Sequence, residues 1–339
     1  MQDHCRRNAP RFFIPLLSRR ALAQAALALA GAAAAGGALA QAAWPTKAIR
    51  LVVPFSAGGA NDLMARAAAE GASKALGQPV VIDNKPGAGA VLGADIAAKS
   101  APDGYTFLVS AAGVISNGMI KKNMPYKDAD LVPVAMIGLA PSVIVVPANA
   151  PYKDLKEFVA ASKKDAKGYH WATAGTGSTP HFVEGLLETK YGAKLDVVPY
   201  KSGSESITAV LGAQVEATSE ASIVVLPYLK SNKLKALAST WTQRVSAIPD
   251  LPTASELGFP EIRIAHWAGV HAPHGTPDAI LEKMANAIDA AMKLPATVER
   301  LKGMGIEPIG GTRQSFVKFV DEERQRLGGV VKATGMKED

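Results

Sequence analysis

The segment VVPFSAGGANDLMAR, Val52 to Arg66, carries an apolar run into a glycine-rich turn and then into a helical pattern. A strand that turns directly into a helix leaves the first helical N–H groups without partners inside the helix. Together with the helix dipole, those groups favour an anion. The turn Phe55-Ser56-Ala57-Gly58-Gly59 contains no lysine or arginine, so an anion there would be held by neutral donors. The alternative is that Gly58 and Gly59 only let the chain turn tightly. One occurrence does not separate the two readings.

Working outward, short apolar runs alternate with helically spaced segments. The strand candidates are IRLVVPF, PVVIDN, YTFLVS, SVIVVPA, YHWATAG, LDVVPY, VEATS, LKALAST, RIAHWAGVHA and IEPIG. Helical spacing is found over Asn61–Ala75, Gly93–Lys99, Leu155–Ser162, Pro180–Lys190, Ser204–Leu211 and Pro277–Met292. A run such as RLVVPF is apolar on both faces, as a parallel strand covered by helices on each side must be. The alternation predicts a doubly wound α/β architecture. No Ser/Gly tether interrupts it, so two lobes would be joined by crossing strands, near 140–150 and 261–273. The expected division is 43–142 with 263–339 as one lobe and 143–262 as the other.

A second turn of the same kind lies in YHWATAGTGSTPHFVEGL. There the strand ending at Ala174 meets Gly175-Thr176-Gly177-Ser178-Thr179, and Pro180 opens a helix. Ser or Thr at the cap and Pro at the first helical position are helix-start chemistry. Ser178 or Thr179 spent on the helix's own N–H groups would leave nothing for a ligand. Two such turns, each at the carboxyl end of a strand and one in each lobe, converge on a single cleft if the lobes face each other. Each helix start contributes roughly 0.3–1 kcal/mol and each neutral donor about 1 kcal/mol. Micromolar capture of a carboxylate needs about 8 kcal/mol in all. Lys201 and Glu220 each lie just past a strand in the second lobe, where solvated surface is the default. A Glu220 facing the cleft would hold water, a hydroxyl or an amino group and repel an extra carboxylate.

Other signals carry less. GAGAVLG at Gly87–Gly93 is one residue too long for a dinucleotide fingerprint, and Walker A, HExxH and GxSxG patterns are missing. His266, His271 and His274 span a strand and the loop after it with no carboxylate nearby, so neither a metal nor another cofactor is expected. His181, in the first turn after the second loop, would donate to a ligand oxygen or pack on the helix start. Ser178 and His181 three residues apart make a poor triad without a positioned acid, though an exported Ser/His hydrolase stays open as an alternative.

The formal charge is +7, but Arg6, Arg7, Arg11, Arg19 and Arg20 against Asp3 place +4 of it in residues 1–42, leaving +3. That remainder is no footprint for nucleic acid. Residues 1–42 read as a cleaved export signal. Basic residues come first, the Ala-rich run from Ala21 follows, and small residues suited to cleavage stand at Ala38-Leu39-Ala40 or Ala40-Gln41-Ala42. Ser18-Arg19-Arg20 leaves the export route open. The only cysteine, Cys5, would leave with the signal, so disulfides and thiol chemistry are not expected in the mature chain.

The chain resembles the Bug-type, TctC-like solute-binding proteins of tripartite tricarboxylate transporters. The likeness rests on WPTKAIRLVVPFSAGGANDLMAR, LGQPVVIDNKPGAGAVLGADIAAKSAPDGYTFLV, ATAGTGSTPHFVEGL, VPYKSGSESITAVLGAQVEATSEA, LKALASTWTQRVSAIPDLPTASELGFP and GTPDAILEKMANAI. It implies a two-lobed, type II-like periplasmic binding fold of the flytrap kind, each lobe a mainly parallel sheet flanked by helices. The family's two loops grip a ligand carboxylate, partly through water, and the expected role is non-enzymatic. The expected partners are a small mono- or dicarboxylate, possibly aromatic as the Phe55 wall allows, and membrane transporter subunits or a sensor, with the protein acting as a monomer. The resemblance places Phe55, Ser56, Ala57, Gly58 and Asn61 on the first loop, and Ala174, Gly175, Thr176, Gly177, Ser178, Thr179 and His181 on the second. Specificity would come from Ser110, Ala111 and Val114. Three departures leave the ligand open: Glu220-Ala221 stands where relatives commonly have Asp-Asn, KSGSES replaces the commoner Gly-Gly after lysine, and His271 and His274 occupy a loop that is usually small and apolar.

Overall fold

The computed structural model describes residues 44–338, so the segment read as an export signal lies outside the described residues. From Ile49 the elements follow one another as β1 (Ile49–Val53), α1 (Ala60–Leu76), β2 (Val80–Asn84), α2 (Val91–Ala98), β3 (Thr106–Ser110), α3 (Ala112–Ile120) and β4 (Leu131–Pro147). Then come α4 (Leu155–Lys164), β5 (Tyr169–Thr173), α5 (Thr179–Tyr191), β6 (Leu195–Pro199), α6 (Gly203–Leu211), β7 (Ala217–Ala221), α7 (Ser222–Lys230) and β8 (Leu234–Ser239). The chain ends with β9 (Ala265–Pro273), α8 (Asp278–Lys293), α9 (Pro295–Gly303), β10 (Glu307–Pro308) and α10 (Arg313–Thr334).

The strands join in the order β2-β1-β3-β9-β4-β7-β5-β6, with β8 and β10 also on β4. Two parallel triplets, β2-β1-β3 and β7-β5-β6, flank an antiparallel pair, β9 and β4. The strands read as crossings are therefore the centre of the sheet. β4 is 17 residues long, roughly 55 Å at about 3.3 Å per residue, and it serves both triplets in turn. From Leu131↔Pro273 to Pro141↔Ala265 it pairs with β9; from Ser142↔Ala221 and Val143↔Ser239 it pairs with β7 and β8. β3 and β4 are both antiparallel to β9, hence parallel to each other, whereas β7 is antiparallel to β4. The carboxyl ends of the two triplets consequently face each other across the point where β4 changes partners, Pro141 and Ser142.

Four helices, α3, α7, α9 and α10, and the first half of β4 were not anticipated. α10 buries Phe316, Val320, Glu323, Leu327 and Val330, a helical stripe whose middle position is a carboxylate. That carboxylate is tolerated because Trp267 Nε1 donates to Glu323 Oε2 at 3.1 Å and Arg326 Nη2 pairs with it at 2.6 Å. A hydropathy pattern sees only an interruption there. α7 carries Pro227 inside it, which reads as a break.

α1 is Ala-rich on its buried face and packs on α8, whose Leu281, Met284, Ala285, Ile288 and Ala291 recur at three and four residues. Gly71 stands where α1 and α8 approach: a Cβ there would lie 2.8 Å from Ala291 Cα. Helix propensity alone would make Gly71→Ala stabilising by about 1 kcal/mol. The backbone opposite cannot yield as a flexible side chain would, so we expect net destabilisation of roughly 1–3 kcal/mol, read as a lower urea midpoint. A raised midpoint would mean the two helices separate freely.

Candidate functional site

Because each parallel strand hands over to a helix at its carboxyl end, the helix starts gather where the triplets face each other. A cavity of ≈ 90 Å³ lies there, and its wall includes the starts of four helices. α1 contributes Gly59, Ala60 and Asn61; α3 contributes Ala111, Ala112 and Gly113; α5 contributes Ser178, Thr179 and Pro180; α6 contributes Ser202, Gly203 and Ser204. Phe55, Val224 and Trp267 add apolar surface, while Lys201 and Glu220 are the charged residues of the wall.

The first loop is braced from behind. Asp62, 1% exposed, accepts from the Gly58 N–H at 2.9 Å, from Asn84 Nδ2 at 2.9 Å and from Arg66 Nε at 2.9 Å. Burial is the largest single influence and raises its pKa, but those donors and the Arg66 charge together outweigh it and hold the carboxyl below the usual aspartate range. The Gly59 N–H is spent on Ser56 O. Asn61 Nδ2 donates to Trp267 O at 2.9 Å, tying the helix start to β9. Neither the Gly59 cap of α1 nor the Ala111 cap of α3 makes a side-chain capping bond; in α3 the Val114 N–H turns back to Ala111 O at 3.0 Å.

The second loop is built differently. Gly177 N–H donates to His181 Nδ1 at 3.1 Å and Ser178 N–H to Gly175 O at 3.2 Å. Ser178 caps α5 by position but makes no capping bond, and its buried Oγ has no partner. The reading in which Ser178 spends itself on the helix is therefore corrected. Ser116 Oγ on α3 donates to Gly177 O at 3.3 Å, and Asn117 Nδ2 donates to Gly89 O at 2.8 Å, so α3 ties the second loop to the Gly87–Gly93 segment.

Of the residues singled out in the sequence, Phe55, Ser56, Asn61, Ala111, Ala174, Thr176, Gly177, Ser178, Thr179, Lys201 and Glu220 line the cavity. The others do not. Ala57 and Gly58 form the exposed outer side of their turn. Ser110 is fully buried behind the wall, its Oγ 2.7 Å from His271 Nδ1 and 3.2 Å from Gly269 O. Val114 belongs to the core with Val52 and Leu108. Gly175 serves by accepting the Ser178 N–H. His181 Nδ1 accepts from the Gly177 N–H, the residue does not line the cavity, and burial keeps its pKa below the ordinary value. With that nitrogen occupied, no Ser178–His181 hydrolytic pair forms. Glu220 is not past its strand on solvated surface but within β7 and 3% exposed.

Sequence reasoning missed Gly89, the start of α6, His266 and Trp267 on the wall. The α6 start was readable: Ser202 with Glu205 three residues on is a capping signature, and Ser202 Oγ does accept the Glu205 N–H at 3.3 Å. His266 had been weighed only for metal. Its Nε2 is buried without a partner, and burial lowers its pKa to about 3, so the ring is neutral.

The comparisons with known proteins agree with this architecture. The family model "Tripartite tricarboxylate transporter family receptor" matches residues 64–336. Protein BugT of Bordetella pertussis is 36% identical over 87% of this chain and 91% of its own length. Among solved structures, Rpa4515 of R. palustris with adipate superposes with a TM-score of 0.83 at 30% identity, covering 87% of this chain and 99% of that one. MatC of Rhodopseudomonas palustris with bound malate gives 0.78 at 30% identity, covering 85% and 100%. The fold is that of the periplasmic binding proteins, a mixed α/β fold.

The two charged residues of the wall differ sharply in setting. Lys201 is exposed and makes no ion pair among the described residues, whereas Glu220 is buried with Oε1 unpartnered. Burial drives the Glu220 pKa up to about 8, against a smaller opposing effect of the Ala221 N–H. In the unfolded chain the carboxyl titrates near 4.5. Between these values the folded state holds the extra proton, so native stability falls as pH rises from about 4.5 and levels off above about 8. Glu220→Gln removes that titration. It should be more stable than the natural chain by roughly 2–4 kcal/mol near pH 7, from about 1.4 kcal/mol per unit of pKa difference. The advantage should vanish near pH 4. Urea midpoints across the pH range test this; a constant difference would show that Glu220 is not buried as a neutral acid.

Proposed function

The chain belongs to the tripartite tricarboxylate transporter receptor family, a family of solute-binding receptors and not of enzymes, and from that premise we propose that it captures a small carboxylate in the cavity and delivers it to the membrane subunits of such a transporter. The observation that carries this reading is the meeting of four helix starts at one small cavity whose only cation, among the described residues, is the exposed Lys201. Three of the four, those of α1, α3 and α5, carry no side-chain capping bond, and N–H groups at such a helix start, reinforced by the dipole, suit an anion. Ser178 Oγ adds a donor that has no partner among the described residues. Relatives solved with adipate and with malate hold acids of this class.

In this reading the two triplets form the two lobes, 43–142 with 263–339 and 143–262, with β4 and β9 crossing between them. The loops around Gly89 and Gly177 then meet through Asn117 and Ser116 as the lobes close. The protein works outside the cytoplasm, released from its leader at residues 1–42. Closure is favoured only by as much as the acid prefers the closed form. Size narrows the choice: a benzene ring fills a cavity of about 150 Å³, more than the ≈ 90 Å³ here. A compact aliphatic acid fits this cavity better than an aromatic one.

A thermal-shift series running from propionate through malonate and malate to adipate and benzoate tests the reading. At about a hundred times its Kd an acid stabilises by about 2.7 kcal/mol, which raises Tm by roughly 5–10 °C at about 2–4 °C per kcal/mol. We expect the compact aliphatic acids to shift Tm and benzoate to leave it unchanged. No shift with any acid in the series at millimolar concentration would overturn the carboxylate assignment. Gly177→Ala should weaken any such binding at least about tenfold, roughly 1.4 kcal/mol, because its Cβ would lie 3.0 Å from Ser116 Oγ and Ile120 Cδ1 at a φ of 74°.

A further inference from the structure

Among the described residues Glu220 is the only acid on the cavity wall, and it makes no ion pair there. A Cβ on Gly203 would lie 2.7 Å from Glu220 Cδ and 3.0 Å from Oε1, so only glycine at the start of α6 leaves room for the carboxyl. Glu220 lines the cavity, and its buried Oε1 has no hydrogen-bond partner among the described residues. A buried carboxylate that persists as an ion is paired or hydrogen-bonded several times over. Here the surroundings offer little of either.

β4 presents Val143 in register with Glu220. β5 carries His170, which faces Glu216, at an exposed position. α7 has no acid in its first turn, and its basic residue, Lys230, is in the last. α6 brings Glu205, whose Oε2 accepts the Lys201 N–H, and α5 brings His181 and Glu184, neither of which lines the cavity. The cavity wall also carries the exposed Lys201 and the neutral His266. The Ala221 N–H is the one group that favours the ionised form.

We propose that Glu220 works as a neutral carboxylic acid that donates a hydrogen bond to a carboxylate oxygen of the ligand, so that the acid anion is held against a proton resident in the site. This rests on the carboxylate reading above and deepens it, since it says which end of the cavity receives a carboxylate and in what protonation state. An ionised Glu220 would oppose the incoming anion as a like charge. A protonated one offers an O–H···O⁻ bond, the shorter and stronger kind, and relieves the stranded Oε1 at the same time.

Linkage supplies the signature. With the proton required for binding and the free carboxyl titrating near 8, affinity should drop about tenfold per pH unit above that value. Calorimetric titration with propionate, malonate and malate near pH 6.5 and near pH 9 tests this on the natural chain and on Glu220→Gln. Any of these acids that binds near pH 6.5 should bind roughly tenfold more weakly near pH 9, with uptake of close to one proton there, read from buffers of different ionisation heat. Glu220→Gln should bring the ratio to about threefold or less and bind tighter than the natural chain near pH 9. Equal affinity of the natural chain at both pH values, absence of proton uptake near pH 9, or weaker binding by Glu220→Gln at both would overturn the proposal. The proton count needs no variant, so it decides the matter even if Glu220→Gln fails to fold. Absence of binding by all three acids to either protein at either pH would instead bring down the carboxylate reading, and this proposal with it.

Discussion

One constraint orders the molecule: β4 runs parallel to one triplet of strands and antiparallel to the other. A helix that follows a parallel strand begins at the strand's carboxyl edge. Because β3 lies parallel to β4 and β7 antiparallel to it, both sets of carboxyl edges turn toward the middle of β4. The helix starts of α1, α3, α5 and α6 have nowhere to gather except around that point. The convergence therefore follows from topology, and the individual loops need only be short enough not to fill the gap.

That topology was only partly readable from residue patterns. β1, β5 and the turns after them announce themselves, because IRLVV and YHWAT are followed at once by glycine, a cap residue and helical spacing. The full length of β4 does not. LVPVAMIGLAPSVIVVP contains two prolines before its end, at Pro133 and Pro141, and is buried almost throughout, so neither alternation nor a clean apolar run marks its first half. Pro133 stands beside a register irregularity, as proline within a sheet usually does. α10 was hidden for a different reason. Its stripe passes through Glu323, whose burial depends on Trp267 and Arg326, residues 56 and 3 positions away in the sequence. No local window contains that compensation.

The site shows the same limit. Motif reading found residues on the turns but could not tell which side of a turn they occupy. Ala57 and Gly58 share a turn with Phe55 and Ser56, yet only the latter two face the cavity. Ser110 ends its strand next to Ala111, but strand alternation sends its hydroxyl to His271, away from the wall that Ala111 joins. His181 lies one turn into its helix and reaches back to the loop that precedes it. Its part is to hold Gly177, and a neutral ring suits it, since Nδ1 must accept.

The unsatisfied groups complete the physical account. Among the described residues, buried side-chain atoms without partners include Ser178 Oγ, Glu220 Oε1 and His266 Nε2, and all three residues line one cavity. A buried donor or acceptor left unpaired costs about 1–3 kcal/mol, so a polar solute that pairs these atoms gains that much at each. Opening would let water reach them; a polar solute would satisfy them without opening. The braces behind the wall, Asp62 under the first loop and His181 under the second, keep the donors from collapsing onto one another in the meantime. Selectivity then lies less in any single strong contact than in whether a solute can meet several stranded groups at once within a space of ≈ 90 Å³. A solute that meets only one leaves the others buried and unpaired, and closure around it gains little.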